Sequence, residues 1–119
     1  MFKIEGLYHV NYSGPFGHGF GQFVLKQGEI NGSDAGSGEY RGKYWRDPFG
    51  TNYILDIELV LSQQNLLVTD GIPRMPGTSL NFQISICEDK IGKPCAVDLP
   101  TGPIILTISR VSDLHQDAA

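Results

Sequence analysis

Gly19-Phe20-Gly21-Gln22-Phe23-Val24-Leu25-Lys26-Gln27-Gly28-Glu29-Ile30-Asn31-Gly32-Ser33-Asp34, read together with Glu39-Tyr40-Arg41-Gly42-Lys43-Tyr44, decides the fold. Both stretches are strand-like pieces broken by glycine. Residues 20–26 read as one strand and 29–32 as a short second one. Between them Lys26-Gln27-Gly28-Glu29 is a tight hairpin signal, because Gly28 is free to take positive φ. Residues 33–38 place Asp34 among glycines and other small residues and read as a loop. Residues 39–45 read as a strand with Tyr40 and Gly42 on one face and Arg41 and Lys43 on the other. Nothing here is periodic enough for a substantial helix. The pattern predicts a small, closed or nearly closed antiparallel sheet, an architecture that serves first as a container or a docking surface.

The same rhythm continues outward. In residues 7–12, Tyr8, Val10 and Tyr12 alternate with Leu7, His9 and Asn11, the mark of a strand with unlike faces. Ser13-Gly14-Pro15-Phe16-Gly17 and Arg46-Asp47-Pro48-Phe49-Gly50 are turns. Residues 52–62 form the cleanest strand, with Tyr53, Leu55, Ile57, Leu59 and Leu61 on one face and Asp56, Glu58 and Ser62 on the other. At ~3.3 Å per residue it would exceed about 30 Å if straight, so a bend or bulge is expected. Residues 66–69 read as a short strand, and Asp70-Gly71 as a turn. Residues 72–79, with Pro73, Pro76 and Gly77, read as a loop or a lid over one end. Leu80, Phe82, Ile84 and Ile86 alternate through a seventh strand at 80–87. Residues 88–102 are a long connection with a short strand at Cys95-Ala96-Val97. In residues 103–111, Ile104, Leu106 and Ile108 alternate with Ile105, Thr107 and Ser109 and close the fold. The expected architecture is an all-β barrel of about eight antiparallel strands, favoured over an open meander because closure removes exposed edges. It fills one domain, residues 1–113, followed by a frayed tail at 114–119.

A chain of 119 residues suits one domain. It buries roughly two thirds of its unfolded surface, so it needs no staples. Its 9 Lys and Arg stand against 13 Asp and Glu, a net charge of -4. Phosphate binding needs a clustered positive field. Arg41, Lys43 and Arg46 are flanked by Glu39 and Asp47, so no nucleic-acid contact is expected. No apolar run approaches the ~20 residues of a membrane span. The start, Met1-Phe2-Lys3-Ile4-Glu5-Gly6, has no signal-like apolar core, and a cytoplasmic location is expected. The two cysteines, Cys87 and Cys95, then read as reduced, partly buried thiols with no activating His or Lys beside them. A hairpin at Gly92-Lys93-Pro94 would bring them together.

Each candidate site has a plainer explanation. Gly14, Gly17, Gly19 and Gly21 lack the helix and the Lys-Ser/Thr that a phosphate cradle needs, and read as backbone room at a barrel bend. His9, His18 and His115 are isolated, so no metal site is expected. Asp56 and Glu58 share a strand face, ~6–7 Å apart, but most simply form a solvated outer face. No Ser-His-Asp or Cys-His arrangement stands out, so neither a catalytic nor a cofactor site is expected. Trp45, Pro48 and Phe49 fall in a turn, where they serve as a contact surface or plug the barrel end. The Pro73-Arg74-Met75-Pro76 loop is a second candidate contact or lid.

Ile4-Glu5-Gly6-Leu7-Tyr8, the glycine-punctuated hairpin through Asp34, and Tyr40-Arg41-Gly42-Lys43-Tyr44 together resemble the GrlR family. That family opens with a Gly-aliphatic-Tyr strand, then a G-x-G-x-aliphatic hairpin, a G-x-aliphatic-x-G-x-D segment and a Y-x-G strand. Beyond residue 45 the resemblance is one of strand rhythm. It implies a lipocalin-like barrel that forms homodimers, and a negative regulator of type III secretion genes that binds a transcriptional activator. The family's regulator carries an acidic run just after the Y-x-G strand to hold that partner. Here the same place reads Trp45-Arg46-Asp47-Pro48-Phe49-Gly50, with Asp47 its one acidic residue.

These readings converge on a lipocalin-like barrel that acts by protein contact, without enzymatic activity or cofactor. The expected contact residues are Trp45, Arg46, Asp47 and Phe49. A two-fold dimer through an outer face containing Ile54 and Val60 is expected. The bulk of Leu55, Ile57, Leu59, Phe82 and Ile84 predicts a filled interior. The alternative is a binder of a small apolar ligand, for which Gly19, Gly21 and Gly42 would create room.

Overall fold

The computed structural model describes residues 3–36, 38–63 and 65–112. Strand β1 (Gly6–Gly14) turns into β2 (Gly17–Lys26), which turns into β3 (Glu29–Asp34). At the second turn Gln27 (φ 52°) and Gly28 (φ 80°) are both left-handed, the geometry that matches the twist of the flanking strands. Gln27 accepts a left-handed backbone with help: its N–H donates to Glu5 Oε2 at 2.8 Å, which ties the turn to the N-terminal segment. Strands β4 (Gly38–Arg46) and β5 (Tyr53–Leu61) follow. After them come a two-residue pair, β6 (Asn65–Leu66) with β7 (Pro73–Arg74), and then β8 (Ser79–Ile86), β9 (Cys95–Leu99) and β10 (Gly102–Ser112). A single 3₁₀ turn, Glu88–Lys90, interrupts the link from β8 to β9.

Eight strands form one antiparallel sheet in the order β8-β5-β4-β3-β2-β1-β10-β9. Successive strands of the sheet pair with one another, and β10 returns to pair with β1 along Leu7–Ser13. The barrel is nearly closed, and its seam lies between β8 and β9, which approach without forming a ladder. The all-β barrel of eight antiparallel strands expected from the sequence is therefore the fold. Its membership differs in one place. Residues 66–69 do not join the barrel, and β9 supplies the eighth strand instead. The Leu67 carbonyl accepts from Gly71 N at 2.8 Å, so Leu67 to Gly71 close on themselves as a turn. The tail expected at 114–119 lies outside the described residues.

Period-two alternation decides which side chains face inward. Tyr8 and Val10 of β1, Phe23 and Leu25 of β2, Ile30 of β3, Tyr40 and Tyr44 of β4, and Leu55 and Ile57 of β5 are buried. Ile84 and Ile86 of β8 and Ile104, Leu106 and Ile108 of β10 complete the ring. Fully burying each such aliphatic side chain contributes about 1.5–3 kcal/mol. The wall also needs close approach: a Cβ on Gly42, whose φ is 154°, would sit 1.9 Å from the Asp56 carbonyl oxygen of β5. Gly42 therefore lets β4 run against β5 where any side chain would push them apart.

The two ends of the barrel differ. The end carrying the β2–β3 and β4–β5 turns is filled. There Tyr8 and Leu25 are fully buried, and the Tyr8 hydroxyl donates to the Ile4 carbonyl at 2.6 Å. The Arg110 guanidinium lies 5.5 Å from the Tyr8 ring centroid and donates to the carbonyls of Lys3 and Glu5. Tyr44 and Tyr53 meet edge to face at 6.4 Å. The opposite end carries the β1–β2, β3–β4 and β9–β10 turns. Across it folds the connection from β5 to β8, and it is not filled.

Candidate functional site: a cavity with one carboxylate

Beneath that second end lies a cavity of about 640 Å³. Its walls are the inward side chains of the barrel's upper half: Val10, Phe23, Ile57, Leu59, Phe82, Ile84, Ile104, Leu106 and Ile108 among them. Leu67, Val68 and Thr69 roof it, with Phe16 and Thr101 at the rim. The expectation of an interior packed throughout is thereby corrected. Leu55 fills the lower half, while Ile57, Leu59, Phe82 and Ile84 line open space. At this strand number the inward side chains can either fill the interior or leave room for one small ligand, and bulk on a few strands does not decide between the two.

The roof is tied down on both sides. The Val68 carbonyl accepts from Phe16 N at 2.9 Å, and buried Thr69 donates from its hydroxyl to that of Thr101 at 2.8 Å. The Asp70 carboxylate takes both guanidinium nitrogens of Arg74, at 3.0 and 2.8 Å, and the Ile72 N–H at 3.0 Å. These bonds hold the Asp70 carboxyl down at about 2. The lid expected at 72–79 is thus displaced toward the N-terminus. Residues 67–69 cover the cavity, and the Pro73–Pro76 stretch braces them through Arg74.

The lining carries polar side chains at its roof and rim, Thr69, Thr101 and His18, and one carboxylate among the described residues. Asp34, the last residue of β3, is half-buried at the cavity wall. Its Oδ2 accepts from the hydroxyls of Tyr12 and Tyr40, each at 2.5 Å, and its Oδ1 accepts the Gly36 N–H at 2.9 Å. Burial, and after it the charge and hydrogen bond of Asp34, raise both phenols well above the ordinary tyrosine range. Both are therefore committed donors. Among the described residues Asp34 has no ion pair, and no Lys or Arg lines the cavity.

Sequence reasoning placed Asp34 in a loop and missed this cluster. The signal was present in the parity of β3: Ile30, Gly32 and Asp34 share the inward face, so extending the strand by two residues turns Asp34 inward. The glycines opposite complete the arrangement. A Cβ on Gly19 would lie 2.5 Å from the Tyr12 hydroxyl, and one on Gly21 would lie 3.0 Å from the Tyr40 hydroxyl and 2.7 Å from the Ser33 carbonyl. The room these glycines leave is taken by the two phenol rings, which are thereby delivered to Asp34.

The residues singled out as a contact surface lie at the other end of the molecule. Trp45 points outward from β4 and is 44% exposed, and Phe49, at the tip of the β4–β5 turn, is 96% exposed. Neither plugs the barrel; Tyr44 and Tyr53 do that. Asp47 is spent locally, with Oδ1 accepting the Phe49 N–H at 2.9 Å and its carbonyl accepting from Gly50 N at 3.3 Å. Arg46 is exposed. The outer face expected to mediate a dimer is mixed: Ile54 stands opposite Trp45, but Val60 stands between Glu39 and Ser79.

The other candidates are placed as follows. Asp56 and Glu58 lie on the outer face opposite Lys43 and Arg41, and Glu58 accepts from the Ser79 hydroxyl at 2.5 Å. They face away from the cavity. His18 is exposed at the cavity rim. His9 lies on the outside of β1 against the Phe20 ring, with its Nε2 buried and making no hydrogen bond among the described residues. His115 lies outside the described residues. Cys87 and Cys95 are free thiols; Cys87 donates to Asp89 Oδ1 at 2.7 Å, which raises its pKa. No helix among the described residues is long and apolar enough to cross a membrane.

Compared with known proteins, the chain matches no family model, no curated protein and no solved structure. The likeness to the GrlR family therefore rests on the residues quoted for it above.

Proposed function

We propose that this barrel binds a small, largely apolar molecule in its interior, without chemical transformation. The observation that carries the reading is the cavity of about 640 Å³, walled by aliphatic and aromatic side chains and roofed by residues 67–69. Small-molecule sites typically enclose ~300–1,000 Å³, mostly apolar with a few polar groups that fix orientation. A protein that acted only through its outer surface would gain from filling this space, since each missing buried contact costs stability. The test is a thermal-shift screen with apolar compounds, alongside mass spectrometry of a solvent extract of the purified protein. A ligand at 100 times its Kd stabilises by about 2.7 kcal/mol. A cavity-filling Leu106→Trp variant should abolish that gain while remaining folded. Failure of every compound to shift the melting temperature, with an empty extract, would remove the proposal.

A second reading, contact with a protein, is favoured by the β4–β5 turn. Phe49 at the turn tip is 96% exposed, and Trp45 at the end of β4 is exposed too, both far from the cavity. Trp and other aromatics are enriched at binding hot spots. With the resemblance to the GrlR family, this supports a homodimeric regulator that sequesters a transcriptional activator through Trp45, Arg46, Asp47 and Phe49. Phe49→Ala should leave stability within about 0.5 kcal/mol of the parent. Loss of a co-purifying regulator in that variant and in Trp45→Ala supports the reading; retention in both rejects it.

A further inference from the structure

We infer that the ligand of this cavity is a small apolar amine, bound as its ammonium ion against Asp34; the inference rests on the ligand-binding reading above. Three observations converge on it. First, among the described residues Asp34 is the single carboxylate on the cavity wall, and no Lys or Arg lines the same space. The cavity's own charge therefore disfavours a carboxylate or phosphate ligand and favours a cation. Second, the polar corner lacks free donors. The hydrogens of Tyr12 and Tyr40 are both committed to Asp34 Oδ2. Each phenol oxygen then offers only lone pairs to a newcomer, and Asp34 Oδ1, which takes a single N–H from Gly36, retains capacity to accept. An ammonium supplies up to three N–H donors and no acceptor, the complement of this corner. Third, the two phenol rings beside the carboxylate are positioned by glycines at 19 and 21, which leave them the space a side chain would occupy. The carboxylate oxygen that their hydroxyls hold is thereby fixed in place as an acceptor for an organic cation.

The rest of the cavity sets the ligand's body. Phe23, Phe82, Ile57 and Leu106 offer dispersion and hydrophobic contact and no hydrogen bonds, so the part of the ligand lying against them is hydrocarbon or aryl. Among the described residues, His18 at the rim and the phenols of Tyr12 and Tyr40 are the other titratable groups along the lining. His18 is exposed and stands at the solvent side of the mouth.

The experiment compares three probes of matched shape, 4-phenylbutylamine, 4-phenylbutanol and 4-phenylbutyrate, by isothermal titration calorimetry at neutral pH. The amine should bind about tenfold more tightly than the alcohol, the effect of one charge-assisted hydrogen bond, and the carboxylate more weakly than either. Asp34→Asn keeps an acceptor for the phenols and should erase the preference for the amine while leaving the alcohol's affinity within about twofold. The parent protein alone is decisive if that variant does not fold. Equal affinities for amine and alcohol in the parent would overturn the ammonium assignment and leave the ligand-binding reading standing. Tightest binding by the carboxylate would do the same. Absence of binding by all three, together with no stabilisation by any apolar compound in the thermal screen, would overturn both.

Discussion

Tyr12 and Tyr40 belong to strands that do not pair with each other, yet their hydroxyls meet on one oxygen of Asp34, at 2.5 Å each. The meeting spans β1, β3 and β4 and is made across β2, where glycines stand at positions 19 and 21. It places the one carboxylate that lines the cavity among the described residues between two phenols and makes that corner a hydrogen-bond acceptor. The corner also ties one edge of the cavity together mechanically.

Removing the carboxylate should therefore be costly. Asp34→Ala strands two phenol hydroxyls that have donated to a charged acceptor, and such bonds contribute about 1.5–3 kcal/mol each before solvent access reduces them. We expect a loss of about 2–3 kcal/mol for Asp34→Ala and about 1 kcal/mol for Asp34→Asn, read from urea denaturation midpoints at constant slope. Equal stability of the parent and Asp34→Ala would show that the cluster contributes nothing to folding.

The raised phenols of Tyr12 and Tyr40 give an alkaline signature. Both sit above the ordinary value of 10.0 in the folded protein, so the folded state holds their protons more tightly than the unfolded chain. Their contribution to stability is complete below pH 10 and declines as pH rises beyond it. In a spectrophotometric titration at about 295 nm these two of the five tyrosines should remain un-ionised until the protein unfolds. Tyr12→Phe and Tyr40→Phe should each remove one late-titrating phenol. Reversible ionisation of all five near pH 10 in the folded state would contradict the cluster.

The roof has an acid signature. Asp70 is lowered from 3.8 to about 2, chiefly by its hydrogen bonds to Arg74. A lowered carboxyl contributes stability that is full above its unfolded value and is lost as pH falls through the folded one. The Asp70–Arg74 pair should therefore weaken between about pH 4 and about pH 2. Asp70→Asn should flatten the acid limb of the stability profile over that window and leave the neutral plateau lower. Hydrogen exchange at Ile72, whose N–H donates to Asp70, should rise in the same variant.

The glycines can be ranked by what a methyl group would meet. Gly42→Ala would place a Cβ 1.9 Å from the Asp56 carbonyl, and Gly21→Ala would place one 2.7 Å from the Ser33 carbonyl. Backbone cannot swing aside as a side-chain end can, so each should cost about 2–3 kcal/mol or more. Gly77, with nothing within 4 Å but a φ of 87°, isolates the conformational part, and Gly77→Ala should cost about 1 kcal/mol. Thermal denaturation in that rank order supports the close approaches; equal losses at all three would contradict them.

Much of the barrel is legible in the sequence itself. Alternation in Tyr8-His9-Val10-Asn11-Tyr12 and through residues 53–61 specified strands and their inward faces, because a strand with one buried face must repeat every second residue. The Gln27-Gly28 turn was equally plain, since few dipeptides accept two left-handed residues. Local pattern failed at 66–69, where apolar residues read as a strand. Leu67 and Val68 are apolar because they roof a cavity, and a roof imposes no period.

The outcome for the aromatics shows the same boundary. The turn at 46–50 was visible as a turn, but whether Trp45 and Phe49 plug the barrel depended on whether other rings had filled that end. Tyr44 and Tyr53 had, and this is a matter of volume shared among distant strands.

By itself, then, the chain's order of polar, apolar and glycine residues determined an eight-stranded antiparallel barrel, because hydrogen-bonding periodicity and turn chemistry are local. Tertiary structure alone decided that the barrel is full at one end and hollow at the other. It alone brought Asp34 to the two phenols. Filling and convergence depend on which side chains of non-neighbouring strands arrive at the same place, and no spacing along one strand encodes that.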